Sequence, residues 1–202
     1  MKKSHLLSLL LVFIGIVSCF GPKKIAREVY VSINPNFEVV IEKDPRGHFV
    51  DYYTVDQYKQ CFIEGLTKQL LYKNIVVSNE NPEFTITIDG VMIRESITTG
   101  MVKDSLSSDF KKVYDLTVGN VEAYGKLVSA SGSSTDSWNA KKERREKITN
   151  LQSASGLVQG KELGPHEYRK KPFDSYEFRD MVYDLSSKSG DDITSLVSGR
   201  VK

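Results

Sequence analysis

The sequence predicts an α+β domain built on a largely antiparallel sheet, and three observations carry that prediction. Period-two alternation of apolar and polar residues recurs at Val29-Val31-Ile33, Phe84-Ile86-Ile88 and Tyr114-Leu116-Val118. Two other stretches space their apolar residues by three and four, Val55 to Leu70 and Phe178 to Leu196. Setting aside residues 1–18, which read as a leader, leaves 184 of the 202 residues, enough for one domain with a core of its own.

The leader comes first in the chain. Lys2 and Lys3 precede an apolar run from Leu6 to Val17, the charged and hydrophobic parts of an export signal. As a helix this run would be about 18 Å long, too short for a hydrocarbon core of about 30 Å. An ordinary signal peptide or a short membrane anchor would fit that much. The closing residues Ile16-Val17-Ser18-Cys19 go further, because they resemble the lipobox of bacterial lipoproteins. The resemblance implies cleavage between Ser18 and Cys19, a diacylglycerol on the Cys19 sulfur and an acyl chain such as palmitate on the new amino group. One chain binds a bilayer reversibly, at about 0.8 kcal/mol per buried methylene, and two or three hold it durably. Position 20 is Phe and not the aspartate that retains such proteins in the inner membrane, and no acidic run follows Cys19. The expected location is therefore the outer membrane, lipid-anchored and facing the periplasm.

Loss of residues 1–18 removes two of 28 basic residues and none of the 26 acidic ones. The remaining chain is formally neutral, which gives no general signal for nucleic acid. With Cys19 lipidated, Cys61 is the only other thiol, so a disulfide within the chain is excluded. Helical spacing sets Cys61 beside Phe62 on an apolar face, where a buried, inert thiol is expected. Residues 19–27 form a short tether of at most about 30 Å. Its Lys23, Lys24 and Arg27 are either headgroup contacts or plain linker residues.

The domain is expected over residues 28–198. Asn34-Pro35-Asn36 interrupts the first alternating segment, and Phe37-Val39-Ile41 resumes it. Lys43 to Gly47 is a loop. Thr54 and Gln57 have capping-box spacing for a helix that runs through Tyr58, Phe62, Leu66 and Leu70 and ends at Lys73-Asn74. This helix should lie on a sheet. Ile75-Val76-Val77 is a short strand. The segments around Phe84–Ile93 and Tyr114–Leu127 form a long antiparallel hairpin through the polar residues 103–112, with a bulge at Gly90 and a second phase shift after Gly119.

From Ser129 to Lys171 the pattern is lost. Ser131 to Thr135 reads as a flexible link, Asn139 to Lys147 as a polar, helix-prone run, and the glycines and prolines beyond it argue against long elements. This polar arm at 129–171 is either a flap or a partner-binding segment. Asp174 and Glu177 have N-cap spacing for a final helix that Gly190 should kink or break, with a frayed tail from Ser198.

Chemistry-bearing patterns are sparse. His48 and His166 stand alone in loops, without the base or orienting partner that a nucleophilic site needs. Asp191-Asp192 is a lone acidic pair and not a metal-ligand cluster. No phosphate-cradling glycine loop is present. The residues thus give no catalytic, metal-binding or cofactor-binding site. The run Lys141 to Lys147 is either a contact for anionic groups or an ordinary solvated face. Trp138 is either a recognition residue or an anchor at the edge of the core. Tyr52, Tyr53, Tyr72, Tyr168 and Tyr176 sit near element ends, where a ring can be buried with its hydroxyl wet, as at interfaces.

The element order resembles the fold shared by the lipopolysaccharide-transport lipoprotein and the amino-terminal domain of the Tol translocation protein. That resemblance covers residues 28–198 and implies a mixed, mostly antiparallel sheet with both helices on one face. The function expected is a non-enzymatic, lipid-anchored envelope lipoprotein that binds or assembles with another envelope protein, through a sheet edge or the arm. A carrier or sensor of an amphiphile is the second expectation.

Overall fold

The two longest alternating segments become an antiparallel pair, β4 (Phe84–Lys103) and β5 (Phe110–Ser129), of 20 residues each. The computed structural model describes residues 24–103, 110–150 and 168–201. The leader, Ser18, Cys19, Lys23 and His166 therefore lie outside the described residues. β4 is long enough to take two parallel partners along one edge. β1 (Val29–Asn34) pairs with Phe84–Thr87, and β2 (Val39–Lys43) pairs with Val91–Glu95. Between them the Asn36 N–H donates to Asn34 Oδ1 at 3.0 Å, and the Phe37 N–H to the Pro35 carbonyl at 3.2 Å. That is the turn which Asn-Pro-Asn predicts. The short β3 (Ile75–Val77) runs parallel to β1 and closes that edge. The sheet is mixed, in the order β3-β1-β4-β5-β6 with β2 also on β4.

The sixth strand corrects the reading of the polar arm. β6 (Thr135–Arg145) pairs antiparallel with β5 along its whole length, from Val128–Thr135 to Val118–Arg145. The expected helix-prone run is thus strand, and the expected flexible link is a hairpin turn. There Gly132 takes φ +68 and its N–H donates to the Ser129 carbonyl. Two further strands, β7 (Lys147–Asn150) and β8 (Tyr168–Lys171), form a small antiparallel ribbon. Residues 151–167 lie outside the described residues.

Both phase shifts in the long hairpin have physical causes. The register slips between Ile88 and Gly90, which leaves Asp89 as the extra residue of a bulge. After Gly119 no slip occurs, since the pairing runs unbroken from Gly90–Tyr124 to Gly100–Tyr114. Side chains alternate strictly along such a ladder, so Leu116 and Val118 face the opposite side from Val121 and Ala123. All four are buried. A Cβ on Gly100 would lie 2.7 Å from both Leu116 Cδ1 and Ile148 Cδ1. The β7 ribbon therefore covers the far end of the hairpin on the face that the helices do not cover.

Two helices lie on the other face. In α1 (Val55–Tyr72) the capping box is complete, with the Gln57 N–H donating to Thr54 Oγ1 at 3.3 Å and the Thr54 N–H to Gln57 Oε1 at 2.8 Å. Asn74 follows its end in the left-handed conformation, φ 66. Tyr58, Phe62, Leu66 and Leu70 are fully buried, each large apolar side chain contributing about 1.5–3 kcal/mol. In α2 (Glu177–Arg200) the buried face includes Phe178, Met181, Val182, Leu185 and Ile193. Asp174 does not form the expected side-chain cap. Its carboxylate accepts the Tyr176 N–H at 2.8 Å, in the turn that leads directly into the helix.

Gly190 does not break α2, which runs as continuous helix to Arg200, where the guanidinium pairs with Asp136. The glycine is needed for approach instead. A Cβ on Gly190 would lie 2.7 Å from Gln69 Cγ, and one on Gly65 only 2.0 Å from Ser186 Oγ. The helices run side by side in the same direction, with Cys61 beside Arg179, Gly65 beside Ser186 and Gln69 beside Gly190. Gly65→Ala should therefore destabilise the fold by about 1–3 kcal/mol through overpacking. Urea denaturation measures this, and Ser186→Gly in the same chain should restore part of the loss.

Candidate functional site

The valley between α1 and α2 is the place where surface chemistry concentrates. Tyr176 at the N-cap of α2 and Arg179 and Tyr183 within it recur at steps of three and four, which sets them on one side of the helix, away from Phe178, Val182 and Leu185. Tyr53, Gln57 and Glu64 line the valley from the α1 side, in a groove of about 470 Å³. The Arg179 guanidinium lies 4.7 Å from the Tyr176 ring centre and 5.9 Å from that of Tyr53. It also pairs with Asp180 at 3.0 Å. Through Tyr183 the valley continues into a smaller recess of about 260 Å³ that includes Gly65, Lys68 and Tyr72. Lys68 Nζ sits 5.9 Å from the Tyr183 ring centre. Exposed cation–ring contacts contribute about 0.5–1 kcal/mol each, so the two rings and Asp180 hold Arg179 in place while its side chain stays partly exposed.

Of the tyrosines that the sequence marks, the structure brings Tyr53 into the larger groove, Tyr72 into the smaller recess and Tyr176 against Arg179 beside them. Tyr52 is exposed nearby, and the Tyr168 side chain is outside the described residues. Sequence reading misses Arg179, Tyr183 and Lys68. Their signal is the second stripe on each helix, polar and aromatic, which is visible only after the apolar stripe has been assigned. Cys61 lies at the floor of the valley, half-buried, with its thiol directed at the Arg179 carbonyl oxygen at 3.7 Å. Burial pushes the Cys61 thiol above its ordinary value, and the nearby Arg179 charge only partly offsets this.

The remaining candidates resolve into structure. His48 is exposed, and its ring stacks on Phe49 at 4.1 Å. The buried Glu95 carboxylate spends both oxygens on the backbone N–H groups of His48, Phe49 and Val50, at 3.0–3.2 Å. Trp138 is 4% exposed and packs across from Gly125, where a Cβ would meet its ring. It is a core anchor. Asp191 sits inside α2, where it accepts from Gln69 at 2.8 Å and pairs with Lys73 at 3.3 Å. Among the described residues no group of three or more His, Cys, Asp or Glu could hold a metal.

The basic run divides by strand alternation. Lys142 and Arg144 point towards α2, where Asp184 lies 3.2 and 2.8 Å away and Glu177 lies 2.7 Å from Arg144. Lys141 and Arg145 face the open side of the sheet with Glu143 between them. The run is not a free cationic patch. Beside it a groove of about 720 Å³ opens over Glu146. This buried carboxylate accepts the Thr117 N–H at 2.5 Å and the Phe173 N–H at 2.9 Å, with Lys170 Nζ at 3.0 Å. All its oxygens are engaged, so it ties β5, the β7–β8 ribbon and the α2 approach together.

No family model matches the chain, and no curated protein matches it. Solved structures do. A neuraminyllactose-binding hemagglutinin homolog from Helicobacter pylori aligns at 12% identity over 90% of this chain and 89% of its own, with a TM-score of 0.38. A minor lipoprotein from Acinetobacter baumannii aligns at 12% over 85% and 93%, TM-score 0.32. The rare lipoprotein B from Shewanella oneidensis aligns at 10% over 82% and 96%, TM-score 0.30.

Two measurements test this picture. Burial alone would raise the Glu146 carboxyl, but the Thr117 N–H, the Lys170 ammonium and the Phe173 N–H outweigh it and hold the group below its ordinary value of 4.5. Its contribution to stability is thus present above that value and lost as pH falls through the lower folded value. Glu146→Gln should cost about 2 kcal/mol at neutral pH and weaken the loss of stability on acidification. Cys61 should react with iodoacetamide at about pH 8 more slowly than a free thiol, and Arg179→Ala should slow it further by removing the nearby positive charge.

Proposed function

We propose that this chain is a lipid-anchored, non-enzymatic envelope lipoprotein whose α+β body binds another envelope component. The anchor is Cys19, exposed by cleavage after Ser18. The location is the outer membrane, on its periplasmic side, as Phe20 and the absence of an acidic run after Cys19 suggest.

The observation that carries the binding role is the open valley in which Arg179 lies between Tyr53 and Tyr176. Tyrosine and arginine are the residue types that dominate protein–protein contacts, because they offer large area and several donors at low entropic cost. The sheet edge expected to supply the contact is less suited. On β6 the Lys188 ammonium reaches across to the Lys141 carbonyl at 3.2 Å, and exposed Lys141, Glu143 and Arg145 alternate along the strand. Such charges are devices that discourage strand addition. The alternative of an amphiphile held between sheet and helices meets a filled space, since Tyr58, Phe62, Leu66, Ile86, Ile88 and Met181 are each at most 1% exposed there. A ligand would have to displace core side chains.

Cells grown on labelled fatty acid should incorporate label into the wild-type chain and not into Cys19→Ala, which should also leave the membrane fraction. A photo-crosslinking residue at position 176 should capture an envelope protein that one at position 124, on the open sheet face, does not. Arg179→Glu should weaken that capture by about tenfold or more. Equal capture from both positions, or none lost with Arg179→Glu, would place the contact elsewhere.

A further inference from the structure

The point where the chain enters the body is fixed, and it limits how the body can sit on a membrane. The Ile25 N–H donates to the Lys73 carbonyl at 3.3 Å, and Asn74 Nδ2 donates to the Ile25 carbonyl at 2.8 Å. Lys24 Nζ stands 4.8 Å from the Tyr72 ring centre. Residues 24 and 25 are thereby fastened to the carboxyl end of α1. From Cys19 to Lys24 the chain spans at most about 18 Å when fully extended.

A lipidated Cys19 would therefore hold this end of α1 within about 18 Å of the headgroups. The same end carries the two most exposed large hydrophobic residues among those described, Leu71 at 61% and Tyr72 at 62%. Lys68, exposed and one turn back, shares their side of the helix. Leucine and tyrosine beside lysines match a bilayer interface, where rings settle at headgroup depth and each cation near an anionic surface contributes about 1 kcal/mol.

The geometry points to a membrane-facing end of the body at the carboxyl end of α1, where Leu71 and Tyr72 enter the bilayer interface and Lys24 and Lys68 face anionic headgroups. This rests on the lipid-anchored reading above. The Arg179 end of the valley lies at the opposite end of α1 from Leu71 and Tyr72, because α1 has 18 residues and is about 27 Å long, and Tyr53 and Tyr176 lie at the amino-terminal ends of the two helices.

The test uses the full-length lipidated protein in vesicles of phosphatidylethanolamine and phosphatidylglycerol with brominated acyl chains, which quench nearby tryptophan. Wild type, with only the buried Trp138, gives the background. The Tyr72→Trp variant should lose roughly half of its added emission, as expected for a ring buried about 5–10 Å into the interface. The Tyr124→Trp variant, on the open sheet face, should lose no more than wild type. Flotation with the vesicles and fatty-acid labelling report the anchor separately. A labelled chain that floats but shows no quenching at position 72, or equal quenching at 124, overturns this orientation and leaves the anchor standing. A chain that neither floats nor takes label overturns both.

Discussion

The hydrogen-bonding capacity of β4 on both of its edges is the constraint on which this body depends. A strand of 20 residues presents two rows of donors and acceptors, and each must be met. β5 meets one row along nearly its whole length. β1 and β2 share the other, end to end, separated by the Asn34-Pro35-Asn36 turn. Every other strand of the main sheet attaches to one of these. The bulge at Asp89 re-aims β4 between its two parallel partners and keeps Ile88 and Val91 on the core side.

The helices answer a second requirement, that of covering one sheet face without leaving a gap between themselves. Glycine at 65 and 190 allows close approach, and the space is filled by Ser186, Ser189 and Thr194, all fully buried. Their hydroxyls donate to the carbonyls of Tyr183, Leu185 and Gly190, so small polar residues pack inside without an unmet hydrogen bond. Close packing below leaves the outer rims of the helices parted, and the tyrosines and Arg179 stand along those rims.

Much of this was legible in the sequence. The capping box at Thr54 and Gln57, the left-handed Asn74, the bulge before Gly90 and the long hairpin all follow from local chemistry that the fold does not override. β6 was not legible, for a definite reason. Its inward positions 136, 138, 140, 142 and 144 hold Asp, Trp, Ala, Lys and Arg, and the last two are matched by carboxylates on α2 where apolar contact would be usual. The alternation is written in charge, which a hydrophobic pattern cannot detect, and Ala, Lys, Glu and Arg favour helix when read alone. Gly190 misled for a similar reason, because its role lies in what passes beside it. The valley was half legible. Tyrosines at element ends were visible, but Arg179 became meaningful only once two rings were known to flank it.

The parallel seams between β1, β2 and β4 carry a consequence for when the body can form. Ser32 meets Thr85 across 53 residues of chain, and Lys43 meets Glu95 across a similar span that contains all of α1. No short loop can bring such partners together, so their joining carries a large loss of chain freedom before any contact is gained. The strands nearest the amino terminus, first to be synthesised, would be among the last to complete their pairing. Until β4 is available, β1 has, among the described residues, only the three residues of β3 to pair with and β2 has no partner strand, so the amino-terminal edge of the sheet forms only once the long strand arrives.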